Sequence, residues 1–412
     1  MWIITRILLN TFAIVLLWTG LESCKSQPQD LEQLSSGDHI REALLNADSG
    51  MVIAIPAGTF SLRRSISLLG VKDVTIRGEG MHKSILSFAD QIEGAEGLLI
   101  KADGITLDGF TVQDSKGDAI KIQDASGVII REVRTTWTDG AKESNGGYGL
   151  YPVSCRDVLI ENCEASFASD AGIYVGQCRN VLIRHNYAHH NVAGLEIENS
   201  IDVDAHDNVT ESNTGGILIF DLPDLPQANG SNVRVFNNVS RSNNHKNFAP
   251  DGGMVATLPP GTGMLVIAHD NVEIFDNEIL DYKTLGLGVI SYFFTEKPFN
   301  SDNGFDPYYR GVYVHDNLFV RKKAIPDLSK EFGKMLNGLF LGKPQDIVID
   351  GIFDPELADE SRSICLQRNG DDLRFANLNA QTAKGLGDLR KLHDRNMSLF
   401  DCDLPPLEQL NQ

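Results

Sequence analysis

Val74 opens a pattern of apolar, any residue, apolar that returns at Ile105, Val128, Val158, Val181, Val203, Val233, Val272 and Val312. A second series runs in step with it: a small residue, then apolar, any, apolar, at Ala119, Gly149, Gly172, Gly194, Gly216, Gly263, Gly286 and Gly338. The closest returns are 22 or 23 residues apart, shorter than most helical repeats and the length of one turn of a β-solenoid. In each turn the first and third residues of the apolar triplet point inward, as alternation along a half-buried strand requires. The pattern predicts an all-β chain wound as a parallel β-helix, a single-stranded solenoid of about ten coils.

A repeat separates what every turn needs from what only one turn needs. Asn186, Asn208, Asn238, Asn277 and Asn317 each follow the leading valine by five residues, and Asn191, Asn213 and Asn243 come five further on. Stacked in tight turns, such side chains bond to one another and to the backbone, so these asparagines are expected to be structural. Asp38 to Ala47 carries Ile40, Ala43, Leu44 and Ala47 at helical spacing, which predicts a helix covering the first exposed sheet edge. The resulting division is 1–23 signal peptide, 24–37 linker, 38–355 β-helix with its N-terminal cap, and 356–412 C-terminal cap.

Irregular spacings locate the insertions: after Val133, after Ile217, after Asn238, after Leu287 and after Asn317. Each enters just before or just after a strand of the small-residue series. Two walls of loops are therefore expected to flank one sheet and form a groove.

The net charge of -20 disfavours phosphate backbones, so no nucleic acid is expected as a partner. Acidic turns leave Ca²⁺ open as a cofactor, and the cofactor is otherwise unassigned. Arg6, the apolar run Ile7 to Trp18 and Leu21-Glu22-Ser23-Cys24 look like a bacterial lipoprotein signal, with cleavage leaving Cys24 to carry lipid and to anchor the chain on a membrane. Export would put the remaining cysteines in an oxidising compartment. Cys155 and Cys178 occupy the same place in successive turns, within reach of a disulfide or as a column of free thiols; Cys365 and Cys402 could staple the C-terminal segment.

The groove floor reads Lys121, Tyr151, Tyr174, Glu196, Leu218 and Leu265, with Gln123, Glu198 and Phe220 two residues along. Rings beside carboxylates and a lysine suit a sugar chain, whose C–H faces stack while its hydroxyls bond to charges. Glu196 and Glu198 face the same way on one strand and, with Lys121, are the candidate catalytic groups. Tyr151, Tyr174, Trp137, Asp221, Lys246 and Arg310 are the candidate substrate contacts, with Lys142 a further cation on a loop wall. Tyr148, Tyr292, Tyr308 and Tyr309 are either ligand platforms or loop packing. His185, His189, His190 and His206 lie on neighbouring turns, but His189 and His190 are adjacent and should point to opposite faces, so no metal site is assigned.

Ile55-Pro56-Ala57-Gly58-Thr59-Phe60 and Val74-Thr75-Ile76-Arg77-Gly78-Glu79-Gly80 resemble the opening of pectin-lyase-like right-handed parallel β-helix proteins. The segments Asp170 to Gln177, Asn191 to Ser200 and Asn213 to Pro223 are similar to a family of exported, often lipid-anchored parallel β-helix repeat proteins of unsettled activity. The resemblance implies a right-handed winding and export, and carries over no catalytic residue. The Asp-Pro-His-Asp signature of mannuronan epimerases is absent. The expected function is that of an exported, lipid-anchored β-helix in the bacterial cell envelope that binds or acts on polysaccharide, as lyase, epimerase or hydrolase. The alternative is a non-catalytic envelope scaffold or a module that binds a protein partner.

Overall fold

A computed structural model describes residues 36–357 and 363–410. The lipidation candidate Cys24 and the signal segment lie outside the described residues. The chain winds through three parallel sheets of 11, 10 and 11 strands. Sheet 1 carries the valine series, sheet 2 is built of short strands, and sheet 3 carries the small-residue series. Each coil visits the sheets in that order, so every strand pairs with its counterpart one coil away, as Val158 pairs with Val128 and Val181.

The inward residues account for the stack. Val128, Ile130, Val158, Ile160, Val181 and Ile183 are wholly out of water. Each such burial is worth about 1.5–3 kcal/mol. The small residue of sheet 3 has a steric cause. A Cβ on Gly216 would stand 2.2 Å from the Ser240 hydroxyl and 2.4 Å from the Gly263 carbonyl, so no side chain fits there. The bends after sheet 1 are made by single left-handed residues, among them Asn162, His185, Asp207 and Asn237, a conformation that asparagine and aspartate adopt most readily after glycine.

The asparagines form two ladders. Asn186, Asn208, Asn238 and Asn277 each donate Nδ2–H to the Oδ1 of the next, at 2.9–3.0 Å, ending through Asn317 on Asn369. Asn191, Asn213 and Asn243 repeat the arrangement one corner away. The cap helix runs Gly37–Leu45, with the Ser36 side chain accepting from the His39 amide, and it buries Ile40, Ala43 and Leu44 against the first coils.

Two features depart from expectation, and the cysteines resolve an alternative left open. Gly338 lies in a helix, Glu331–Phe340, and not in sheet 3; the residue in register with Gly286 is Asp346, on the strand Gln345–Ile349. The helix there is hard to tell from a strand by pattern because Leu339 and Leu341 follow the glycine at strand spacing as well. The winding also passes the expected boundary at 355, since Ile364–Gln367 joins sheet 1 and Phe375–Asn377 joins sheet 3. Cys365 and Cys402 form a disulfide with Cα atoms 5.1 Å apart, while Cys155, Cys163 and Cys178 are buried free thiols.

Candidate functional site

Register puts the predicted floor residues in one column on the outer face of sheet 3. Lys121 pairs with Tyr151, Tyr174 with Glu196, Glu196 with Leu218 and Leu218 with Leu265. The neighbouring column carries Gln123, Val153, Gly176, Glu198 and Phe220.

This face is not an open trench along its whole length. The strand Ile120–Gln123 alternates buried and half-buried, as a sheet with one wet face should. From Ala171–Gly176 through Ala193–Glu198, Gly215–Phe220, Thr262–Ile267 and Leu285–Ile290 every residue is buried. The insertions 242–261 and 291–309 do enter at the ends of sheet 3 strands, but they fold over the face. Val255, Leu258, Tyr292 and Phe305 pack on Leu218, Phe220, Leu265 and Ile267 to form a second apolar core. The signal was present in the sequence: Gly215-Gly216-Ile217-Leu218-Ile219-Phe220 is apolar on both faces, the mark of a strand covered on both sides.

An open shelf bearing Lys121 and Tyr151 therefore meets a roofed segment, and a polar cluster sits at the junction. Tyr148, Tyr151 and Tyr174 form a ring trio with centroids 4.5, 4.5 and 4.8 Å apart. The Lys121 ammonium lies 4.8 Å above the Tyr151 ring. Behind the rings, Glu196 is 3% and Glu198 8% exposed. Tyr174 donates its hydroxyl to Glu198 Oε1 at 2.7 Å.

Two acids that sequence reading missed complete the cluster. Asp118 immediately precedes Ala119 and Asp170 immediately precedes the strand Ala171–Gly176, so both stand at the entry of sheet 3 strands beside the shelf. Asp118 Oδ1 accepts the Tyr148 amide at 3.2 Å. Among the described residues, the buried atoms Asp170 Oδ1 and Glu196 Oε2 have no hydrogen-bond partner of their own. The two carboxyls interact in the direction of a protonated Glu196 donating to Asp170, which raises Glu196 and lowers Asp170.

Burial, and then the mutual repulsion of the acids, sets the protonation of the group. Burial pushes Asp170 up to about 7, helped by the charge of Glu198 and opposed by the Tyr148 hydroxyl. Glu196 is driven well above the carboxylate range by burial and by Asp170 and Glu198. Glu198 is also raised by burial, with Tyr174 pulling the other way. Burial lifts Asp118 to about 6 against the Tyr148 amide and Lys121. Carboxyls that hold their protons near neutrality can give or take one there.

The remaining predicted contacts have other roles. Trp137 is 4% exposed in the main core, its indole N–H donating to the Ser115 carbonyl at 2.7 Å. Asp221 is 1% exposed and anchors the 221–230 insertion by accepting the Gly230 amide at 2.8 Å. Arg310 lies on sheet 1, its guanidinium shared among Asp270, Asp306 and Asp354. Lys246 is exposed on the roof insertion, and Lys142 is exposed and paired with Asp139 at 2.7 Å. Tyr292 and Tyr308 pack against phenylalanines of the roof, and Tyr309 is fully buried.

His189 and His190 do not oppose each other. His190 is left-handed and no longer extended, which brings the two Nδ1 atoms to 2.8 Å. Among the described residues no set of three or more His, Cys, Asp or Glu side chains is placed to hold a metal ion.

Residues 96–294 match the family model described as the right handed beta helix region. The A-module of the mannuronan C-5 epimerase AlgE4 of Azotobacter vinelandii has a similar fold, with a TM-score of 0.50 and 14% identity over 83% of this chain and 94% of that one. Among curated proteins, the pre-neck appendage protein of Bacillus phage phi29 is 25% identical over 57% of this chain and 31% of its own length. The preneck appendage protein of Bacillus phage PZA is 25% identical over 55% and 30%. The chain thus spans about a third of the length of these relatives. The fold is a right-handed parallel β-helix.

Proposed function

We propose that this right-handed β-helix protein binds a sugar chain on the shelf of Lys121 and Tyr151 and performs acid–base chemistry on it at the Asp118 and Asp170 carboxyls. The observation that carries the reading is the position of the carboxyl group set. Its protonatable members stand at the point where an open, aromatic-lined strip of sheet meets a roof that excludes water. Tyr151 offers a ring face for stacking, and Lys121 offers a cation for a sugar hydroxyl.

Asp118 and Asp170 are half-buried beside the shelf, so they are the acids a bound sugar reaches. Glu196 and Glu198 act from behind, Glu196 by donating to Asp170 and Glu198 by fixing Tyr174. Proton transfer at a sugar carbon or at a glycosidic oxygen both fit this arrangement, the first making a lyase or epimerase and the second a hydrolase. The fold shared with the epimerase module is consistent with sugar chemistry, but the missing Asp-Pro-His-Asp signature separates this site from mannuronan epimerases. Export and lipid anchoring through Cys24 belong to the same proposal and rest on the N-terminal sequence alone.

Binding of neutral and acidic polysaccharides to the intact chain tests the reading. Tyr151→Ala should weaken the binding by about tenfold, the loss of one stacking contact worth roughly 1–1.5 kcal/mol. Equal binding by both proteins would remove the shelf from the account.

A second reading, a non-catalytic binding module, is favoured by the near-complete burial of Glu196 and Glu198. It predicts that sugar or a protein partner binds with no product formed.

A further inference from the structure

We propose that a cleft beside the shelf, on the corner between sheets 3 and 1, is a binding subsite for a carboxylate-bearing sugar unit, held by Arg156 and Arg179. The cleft has a volume of about 370 Å³ and is lined by both arginines together with Gln177, Gln227, Ser126 and Ser154. Its chemistry is unlike that of the surrounding surface. Arg156 and Arg179 are register partners on adjacent strands, so two guanidinium stems start about 4.8 Å apart.

On this sheet every other arginine has a carboxylate partner. Arg77 and Arg131 share Asp108, Arg184 holds Glu161, Arg234 holds Asp204, and Arg310 sits among three aspartates. Among the described residues Arg156 and Arg179 have none, on a chain whose net charge is -20. Both are exposed. The acids nearby are already engaged: Asp124, which also lines the cleft, pairs with Lys101 at 3.6 Å, and Asp157 accepts from Asn180 at 2.6 Å. Two like charges held side by side without a counter-charge are stabilised by an anion that bridges them, and guanidinium forks match a carboxylate's two oxygens.

The far wall of the cleft is fixed. Asn199, fully buried, accepts the Leu222 amide at 2.8 Å and donates to the carbonyls of Leu222, Gln227 and Ala228 at 2.9–3.0 Å. That bracket holds the 222–228 loop so that the Gln227 amide meets Gln177 Oε1 at 3.5 Å across the rim. Neutral amides and hydroxyls flanking a cationic pair suit a sugar acid, whose hydroxyls need both donors and acceptors. The cleft begins where the strands Ile120–Gln123 and Leu150–Val153 end, so it continues the shelf sideways. The sugar identity of the ligand rests on the proposed function; the anion site does not.

The test uses the intact chain and two probes, a uronate oligosaccharide and the same oligosaccharide with its carboxylates methyl-esterified. Titration calorimetry should show the acid form binding more tightly than the ester by about tenfold or more, the scale of a charged hydrogen-bonded pair. Arg156→Gln combined with Arg179→Gln should abolish that preference, while Tyr151→Ala weakens both forms alike and leaves it in place. Failure of wild type to distinguish the two forms, or a preference that survives the double substitution, overturns the subsite alone, whereas failure to bind either form overturns the subsite together with the proposed function. Loss of shelf binding or turnover with the charge preference intact would instead count against the proposed function alone.

Discussion

The Tyr174 hydroxyl donates to Glu198 Oε1 at 2.7 Å, joining the aromatic trio to the buried acids one coil further on. The bond favours the ionised carboxyl and partly offsets the burial that raises Glu198. Tyr174→Phe should therefore move the Glu198 titration to higher pH, followed by carboxyl carbon NMR. A midpoint that stayed in place or fell would show that the bond does not hold in solution.

Asp170 makes stability depend on pH in a set direction. Its folded value, about 7, stands above the ordinary 3.8, because burial disfavours the charge. Below the ordinary value both folded and unfolded chains carry the proton and pH has no effect. Between the two values only the unfolded chain has lost it, so stability falls as pH rises, and above about 7 the loss is complete. Asp170→Asn should raise the melting temperature by a few degrees at pH 8 relative to wild type, and by clearly less at pH 4. Equal shifts at both pH values would contradict the assignment.

The asparagine ladder makes a graded prediction. Asn238 exchanges side-chain bonds with Asn208 and Asn277 and also donates to the Ala205 and Phe236 carbonyls. Asn238→Ala leaves several buried groups unpaired, each worth about 1–3 kcal/mol. Asn369, at the ladder's end, donates among the described residues only to the Val314 carbonyl and accepts from Asn317. Denaturant unfolding should place Asn238→Ala several kcal/mol below wild type and Asn369→Ala between them.

The disulfide ties the last coil to the C-terminal tail across a sequence separation of 37. Closing such a loop removes about 4 kcal/mol of unfolded-chain entropy on the loop-closure estimate. Cys402→Ser should make the segment after 363 the first to be cut in limited proteolysis, with the central coils unaffected. Unchanged cleavage would mean that packing of Phe400 on Phe375 holds the tail by itself.

The winding was legible because each coil repeats the same demand for two inward apolar residues and a small one, as at Gly216. Register followed from it, which is why Lys121, Tyr151, Tyr174 and Glu196 were correctly placed on one column. The roof was not legible in the same way. Insertions obey no repeat, and whether Val255 and Phe305 stand beside the sheet or lie on it depends on the apolar outer face of Leu218 and Phe220, a property of two distant segments together. Asp118 and Asp170 escaped notice for a related reason. Their chemistry comes from burial and from facing Tyr148 and Glu196, neither of which spacing encodes. Trp137 and Arg310 were candidates by residue type, and the core and three aspartates respectively absorb them.

Product formation from a panel of acidic and neutral polysaccharides, measured for wild type and for Asp170→Asn, tests the central claim most directly. The account predicts new unsaturated or reducing ends, or inverted sugar centres, with wild type on at least one polymer. With Asp170→Asn it predicts a loss of at least about a hundredfold in rate while binding is retained, the usual effect of removing a general acid or base. Absence of any product across the panel, or turnover undiminished in Asp170→Asn, would contradict it and leave the shelf as a binding surface.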